Sequence, residues 1–326
     1  MDYTTFGRTG LQLSRLALGT GNFGTGWGYG AAPETAVAIL DAYAEAGGNF
    51  IDSADVYQFG QSEEILGKAL EGRRENFVLA TKFTNGAAPH ANRLVTGNSR
   101  KAMIASVEAS LRRLKTDRID IYWVHHPDGQ TPMEEIVRGL DDLARAGKIL
   151  YAGLSNFPAW RLARAATLSE LTRAVPIAAA QFEHSLVHRE PEADLFPACD
   201  ALGIATVTWS PLGGGVLTGK YRKGETGRAD GFGGRVFQAE NTPQRTATID
   251  TVLQVATETG ASPDRVAIAW AMTHRAVPII GPRTLDQLGS NLGAAALALS
   301  LEQIARLDAA SAQVGAPPRA TLRTVA

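Results

Sequence analysis

One cysteine, Cys199, stands in 326 residues. It excludes an intrachain disulfide and leaves too few thiols for a cysteine-based metal site, which fits a reducing compartment. The chain lacks any run of lysine and arginine and has a formal charge of -1. Nothing in it answers a polyanionic backbone, so nucleic acid is not an expected partner. No apolar stretch approaches membrane-spanning length. The first residues, MDYTTFGRTGLQL, carry no basic segment followed by an apolar one, so a cytoplasmic location is expected. What is present is ordinary globular material, 44% hydrophobic and 20% charged, enough for one large core or two smaller ones. A small-molecule partner, or none, is the class that charge leaves open.

Short apolar runs alternate with longer helical patterns along nearly the whole chain. The runs are RLALG (15–19), NFIDSA (49–54), NFVLATK (76–82), RIDIYWVH (118–125), YAGLSN (151–156), IAAAQF (177–182), IATVTWS (204–210) and AVPIIG (276–281). Several are apolar without strict alternation, as parallel strands covered by helices are. Between them, Pro33 suits a first helical position ahead of a stripe of Val37, Leu40 and Ala44, and Met103, Val107, Leu111 and Leu114 recur at helical spacing. Thr131, Pro132 and Glu134 read as a capping box before Ile136, Leu140 and Leu143, with Gly147 at the exit. Further helices are expected over 160–172, 190–201, 246–259 and 263–273.

Eight alternations without a long linker favour one closed parallel barrel, a single α/β domain over residues 1–326, above two domains. The rival is an open doubly wound sheet. Its first strand should lead through a tight glycine loop directly into a helix, whereas ALGTGNFGTGWGYG has loosely spaced glycines and continues through aromatics. Two segments, 82–100 and 219–245, interrupt the rhythm and are expected as long loops on the C-terminal face of the strands, where a barrel assembles its site.

At several strand ends a polar residue follows apolar ones: Asp52, Lys82 and His125, with Tyr57 just beyond the second strand. A barrel brings such positions together. Tyrosine ordinarily keeps its proton near neutral pH, with a pKa of about 10, and a lysine ammonium nearby favours the tyrosinate. Tyr57 is thereby a credible acid for a developing alkoxide, Lys82 its tuning partner, Asp52 the support of Lys82, and His125 a group that polarises a carbonyl. None of these groups delivers hydride, so a reduction requires a cofactor, economically a nicotinamide. Each residue also has a structural role open to it: a turn for Asp52, packing for Tyr57, charge neutralisation for Lys82. His125 and His126, as strand neighbours, are expected on opposite sides, which weakens any metal reading of HHPD.

The ordered set FGRTGLQLSRLALGT, NFIDSADVYQFGQSEEILGKAL, LATKF, RIDIYWVHHPD, GLSNF, TWSPLGGGVLTGKY and PIIGPRTLDQLGSNL closely resembles the aldo-keto reductases over nearly the full chain. The resemblance implies a (β/α)8 TIM barrel, NADPH-dependent reduction of an aldehyde or ketone, and a catalytic tetrad of Asp52, Tyr57, Lys82 and His125. It implies that Ser155, Asn156 and Gln181 hold the nicotinamide carboxamide and that Trp209 stacks near its ring. Ser210, Pro211 and Leu212, with Gly213, Gly214 and Gly215, would follow the pyrophosphate, where exposed amides receive negative charge. Near the last strand, Gly281, Arg283, Gln287 and Asn291 match the adenosine end. Arg283 suits the extra phosphate of NADPH, which is favoured over NADH, itself an alternative cofactor.

Phe23, Trp27, Tyr29, Phe59, Trp123, Phe157 and Phe237 are candidates to line an apolar substrate cleft. Such a cleft would favour aryl or medium alkyl carbonyl compounds over hydroxylated sugars. The longer loops resemble the branch that includes bacterial aldehyde and sugar-ketone reductases and potassium-channel beta subunits. That carries a second hypothesis, an NADPH-binding regulatory protein with slow turnover, although no partner-binding signature is visible in the sequence.

Overall fold

Each of the eight apolar runs becomes one parallel strand of a closed barrel, in a computed structural model that describes residues 1–225, 227 and 238–312. An antiparallel pair comes first, β1 (Tyr3–Thr5) with β2 (Gln12–Ser14). The barrel strands are β3 (Ala17–Gly19), β4 (Phe50–Asp52), β5 (Val78–Phe83), β6 (Ile119–Val124), β7 (Ile149–Ser155), β8 (Ile177–Glu183), β9 (Ala205–Trp209) and β10 (Val277–Ile280), with β10 closing against β3. The covering helices are α1 (Pro33–Glu45), α2 (Gln61–Ala69), α3 (Arg100–Leu114), α4 (Met133–Arg145), α5 (Ala159–Thr172), α6 (Leu195–Leu202), α7 (Pro243–Thr259), α8 (Pro263–Met272), α9 (Leu285–Leu292) and α10 (Leu301–Ser311). Among the described residues no helix is long and apolar enough to cross a membrane.

The strands are apolar on both faces because both are buried. Ile51, Leu79, Tyr122, Val124 and Leu154 belong to the layer beneath the helices, whereas Phe50, Val78, Ala80, Ile121, Trp123, Ala179, Val207 and Ile279 fill the barrel interior. Phe6 and Leu13 join that interior cluster, so the N-terminal hairpin closes one mouth of the barrel. Register sets the rest. Asp52 lies level with Ala80, and Lys82 level with Trp123. With side chains alternating, Asp52, Lys82 and His125 continue the interior columns of β4, β5 and β6. They form a polar layer above an apolar plug, at the C-terminal mouth. Gly153 makes room for that plug, since a Cβ there would lie 2.4 Å from the Trp123 ring.

Several helix expectations need correction. No side chain caps α4, whose N-cap is Pro132. Asp128 captures Thr131 instead, accepting from its backbone N at 2.9 Å and its hydroxyl at 2.6 Å. The expected helix over 190–201 is a short 3-10 turn, Glu190–Glu192, followed by α6, because Arg189 grips Glu192 with two 2.8 Å hydrogen bonds. Helix α7 starts at Pro243, three residues earlier than expected, where the Thr242 hydroxyl accepts from Arg245 N. Helices α2, α9 and α10 lie outside the sequence expectations.

Candidate active site

The buried Lys82 organises the C-terminal mouth. Its ammonium has three donors and all are placed: one on Asp52 Oδ2, one on the Ser53 carbonyl at 2.8 Å and one on the Tyr57 oxygen at 3.2 Å. Asp52 Oδ1 accepts in turn from Gln181 Nε2 at 2.9 Å. Burial alone would lower the Lys82 pKa, but the charges and hydrogen bonds of Asp52 and Tyr57 more than offset it and hold the group above its ordinary value. Because Tyr57 accepts from Lys82, its own hydroxyl proton is left for the cleft.

Tyr57 reaches this point through an unusual turn. Gln58 (φ 53°), Phe59 (φ 55°) and Gly60 (φ 93°) are successively left-handed before α2 begins, a conformation that costs the two non-glycine residues free energy. The buried Gln58 amide holds it, donating to Gly21 O at 2.9 Å and Tyr29 O at 3.0 Å while accepting from Trp27 N at 2.9 Å. Sequence reading missed Gln58 because its partners lie some thirty residues upstream in the loop after β3.

His125 and His126 do not face opposite sides. His125 still pairs with β5, its N on Phe83 O at 3.1 Å, and keeps the inward direction of β6, whereas His126 lies past that pairing, where strand alternation no longer applies, and the two rings stack at 4.4 Å with 12° between planes. Both line the cleft beside Tyr57, and Tyr57 and His125 meet edge-to-face at 6.1 Å. Burial, then the Lys82 charge, lowers each imidazole pKa, so both rings are neutral near pH 7. His125 Nδ1 lies 3.3 Å from Asn85 Nδ2, which makes Nδ1 the acceptor and leaves the proton on Nε2. Asn85, from the loop after β5, was not anticipated.

A cleft of about 750 Å³ runs from these residues across the ends of β8, β9 and β10. Asn156, Gln181, Trp209, Ser210, Pro211, Leu212, Gly214, Gly215, Gly281, Gln287 and Asn291 line it. Ser155 is buried and accepts from Asn156 Nδ2 at 3.0 Å, and Gly213 packs against Val187 instead of the cleft. The glycine amides, expected to be free for an anion, are instead committed within their own turn. Gly213 N donates to Ser210 O at 2.8 Å, Gly214 N to Ser210 Oγ at 3.0 Å and Gly215 N to Leu212 O at 2.9 Å, because the left-handed turn folds its own donors inward. Positive charge on that stretch comes from Lys220 and Lys223, which line it. Further along, Asn291 Nδ2 donates to Asp264 at 2.8 Å, and Gln287 Oε1 accepts from Arg283 N at 2.8 Å. The Arg283 guanidinium stacks over Tyr29, 4.4 Å from the ring centre, and so joins the loop after β3 to the loop after β10.

The seven aromatic candidates separate. Tyr29 lines the cleft, and Trp27 meets Tyr57 edge-to-face at 6.1 Å and Phe59 at 6.4 Å. Phe23, Trp123 and Phe157 are core residues, each 4% exposed or less. Trp123 shares a face with His125 two residues on and therefore sits in the layer below it. Phe237 lies outside the described residues.

Comparison with known proteins gives one answer. The model of the aldo/keto reductase family matches residues 15–312. The uncharacterized oxidoreductase YrpG of Bacillus subtilis is 36% identical over 322 residues, spanning 94% of this chain and 95% of that one. The aryl-alcohol dehydrogenase [NADP(+)] of Phanerodontia chrysosporium is 36% identical over 320 residues, with 92% and 83% covered. A probable voltage-gated potassium channel subunit beta of Oryza sativa is 34% identical over 307 residues, with 90% and 91% covered.

Proposed function

The chain belongs to the aldo/keto reductase family, NAD(P)H-dependent oxidoreductases, and from that premise we propose that it reduces an aldehyde or ketone to the alcohol with NADPH, Tyr57 giving the proton. The observation that carries this is the placement of all three Lys82 donors, which turns the Tyr57 proton toward the cleft. The carbonyl oxygen rests between the Tyr57 hydroxyl and His125 Nε2. As negative charge grows on it, Tyr57 releases its proton, and the Lys82 ammonium meets the charge left on the phenolic oxygen. Asp52 keeps that ammonium charged and pointed. Neutral His125 donates throughout without competing for the proton.

The cleft suits a dinucleotide in its donor set. Among the residues that line it, Asn156 and Gln181 would hold the carboxamide, Trp209 the ring, Lys220 and Lys223 the diphosphate, and Gln287 and Asn291 the adenosine. Bound there, the reduced nicotinamide supplies the hydride. Gln181 has its amide nitrogen committed to Asp52, so Oε1 is the atom it offers. Arg283 is the residue we assign to the extra phosphate of NADPH; it would leave Tyr29 to reach it. Trp27 and Tyr29 favour aryl over polyhydroxylated substrates.

The potassium-channel-subunit relative favours a second reading, a cofactor-binding regulatory protein with slow turnover. One experiment separates the two and tests the phosphate assignment. Purified wild type and Arg283→Ala are titrated with NADPH and NADH and assayed on aryl aldehydes, alkyl ketones and open-chain sugars. We expect turnover of aryl aldehydes, and in the variant a loss of about tenfold or more in NADPH affinity with little change for NADH. Tight NADPH binding without turnover of any carbonyl would favour the regulatory reading, and equal losses for both cofactors would remove Arg283 from the phosphate.

A further inference from the structure

The cleft holds one donor more than a carbonyl reduction uses. Trp209 Nε1 can only donate, and it does so to Asn156 Oδ1 at 3.0 Å. That fixes the Asn156 amide, whose Nδ2 lies 2.9 Å from the His125 carbonyl and 3.1 Å from His126 Nδ1. Asn156 is itself held left-handed, at φ 61°, with its backbone N on Gln181 O at 2.8 Å. Ser155 Oγ also lies 3.0 Å from Asn156 Nδ2, so the two hydrogens of that nitrogen are shared among three neighbours. Because an amide nitrogen cannot accept, a proton on His126 Nδ1 would face another donor, and the single proton of the neutral ring therefore sits on Nε2. Among the described residues no protein group takes that N–H, and the ring lines the cleft, stacked on His125. A carbonyl oxygen has two lone pairs, already matched by Tyr57 and His125.

We propose that His126 determines specificity: its Nε2–H binds a second oxygen of the substrate, so the site favours carbonyl compounds with an acceptor oxygen one or two carbons from the reducible carbonyl. This rests on the carbonyl-reductase reading above. An ortho-oxygenated aryl aldehyde fits the stacked pair of imidazoles, its carbonyl under His125 and its ortho oxygen under His126. A substrate without that oxygen leaves the His126 donor without a partner in a partly desolvated site, at a cost comparable to a hydrogen bond.

The test compares 2-methoxybenzaldehyde with 4-methoxybenzaldehyde, isomers that differ in whether the ether oxygen lies beside the carbonyl. The readout is the ratio of their kcat/KM values in wild type, in His126→Phe, which keeps a ring to stack on His125, and in His126→Gln, which keeps an N–H donor. The expected result is a fall of about tenfold in the ortho-to-para ratio in His126→Phe, carried mainly by KM for the ortho isomer, and largely restored in His126→Gln. An unchanged ratio in His126→Phe, or an equal fall in both variants, would overturn the proposal while leaving carbonyl reduction standing. Wild type that turns over neither aldehyde would overturn the underlying reading as well.

Discussion

Asp55 is 1% exposed and sits three residues past Asp52, yet it has a different task. Its Oδ2 accepts from Gly86 N at 3.1 Å, tying down the loop that carries Asn85, while Oδ1 is buried without a hydrogen-bond partner among the described residues. Burial, then the charge of Glu63, raises its pKa to about 7, against the partial relief of Arg113. The unfolded chain loses this proton from about pH 4 upward, whereas the folded chain keeps it to about 7. Stability from this group is therefore lost as pH rises through that window, and the loss levels off above it. Asp55→Asn, which can still accept from Gly86, should gain on wild type with rising pH. The gap in unfolding free energy is expected to widen by about 2 kcal/mol between pH 5 and pH 8, since one pKa unit is about 1.4 kcal/mol. Urea titrations at the two pH values measure it, and a constant gap would contradict it. At this scale Asp52, Lys82 and His125 were legible because each ends an apolar strand on its inward face. Asn85, Gln58 and the His126 tautomer were not, since each depends on a contact between separate loops. Aromatic identity carries no direction, so Phe23, Trp123 and Phe157 were misjudged.

Among the elements, α2 was the least expected and is among the most constrained. It is nine residues long with a polar first turn, and Gly67 lies within it. An alanine would ordinarily stabilise a helix by about 1 kcal/mol over glycine. Here its Cβ would lie 2.2 Å from the Arg113 carbonyl oxygen in the last turn of α3, and backbone cannot step aside cheaply. Gly67→Ala should therefore lower stability by about 1–3 kcal/mol, seen as an earlier urea midpoint. A later midpoint would mean that α2 and α3 are not so closely packed. The strands were legible because runs buried on two faces stand out from their surroundings. The capping box at Thr131 was not a sound signal, because Asp128 competes for the same hydroxyl and amide from outside the helix.

For the whole molecule, the closed barrel explains why residues from positions 52 to 291 can meet in one cleft, and why its two ends differ. The hairpin plugs one mouth with Phe6 and Leu13, and the polar layer crowns the other. Helix α10 is fastened to the barrel by a clasp. Arg189 holds Glu192 and reaches Asp308 O at 2.9 Å and Ser311 Oγ at 2.8 Å in α10, while His184 and His274 both approach the Glu192 carboxylate. Ligand atoms of these three residues converge within 4.8 Å, but both Glu192 oxygens already accept from the Arg189 guanidinium, whose charge repels a cation. The central claim concerns the other end, where a proton from Tyr57 meets a hydride on one carbonyl. The measurement that tests it most directly follows NADPH carrying two deuteriums at C4, with benzaldehyde, through a single turnover in wild type and in Tyr57→Phe, with the alcohol read by mass spectrometry. The account predicts benzyl alcohol with one deuterium on carbon in wild type, and in Tyr57→Phe a rate lower by about 10²–10⁴ with NADPH still bound. Unlabelled alcohol, or a variant that turns over at the wild-type rate, would contradict it.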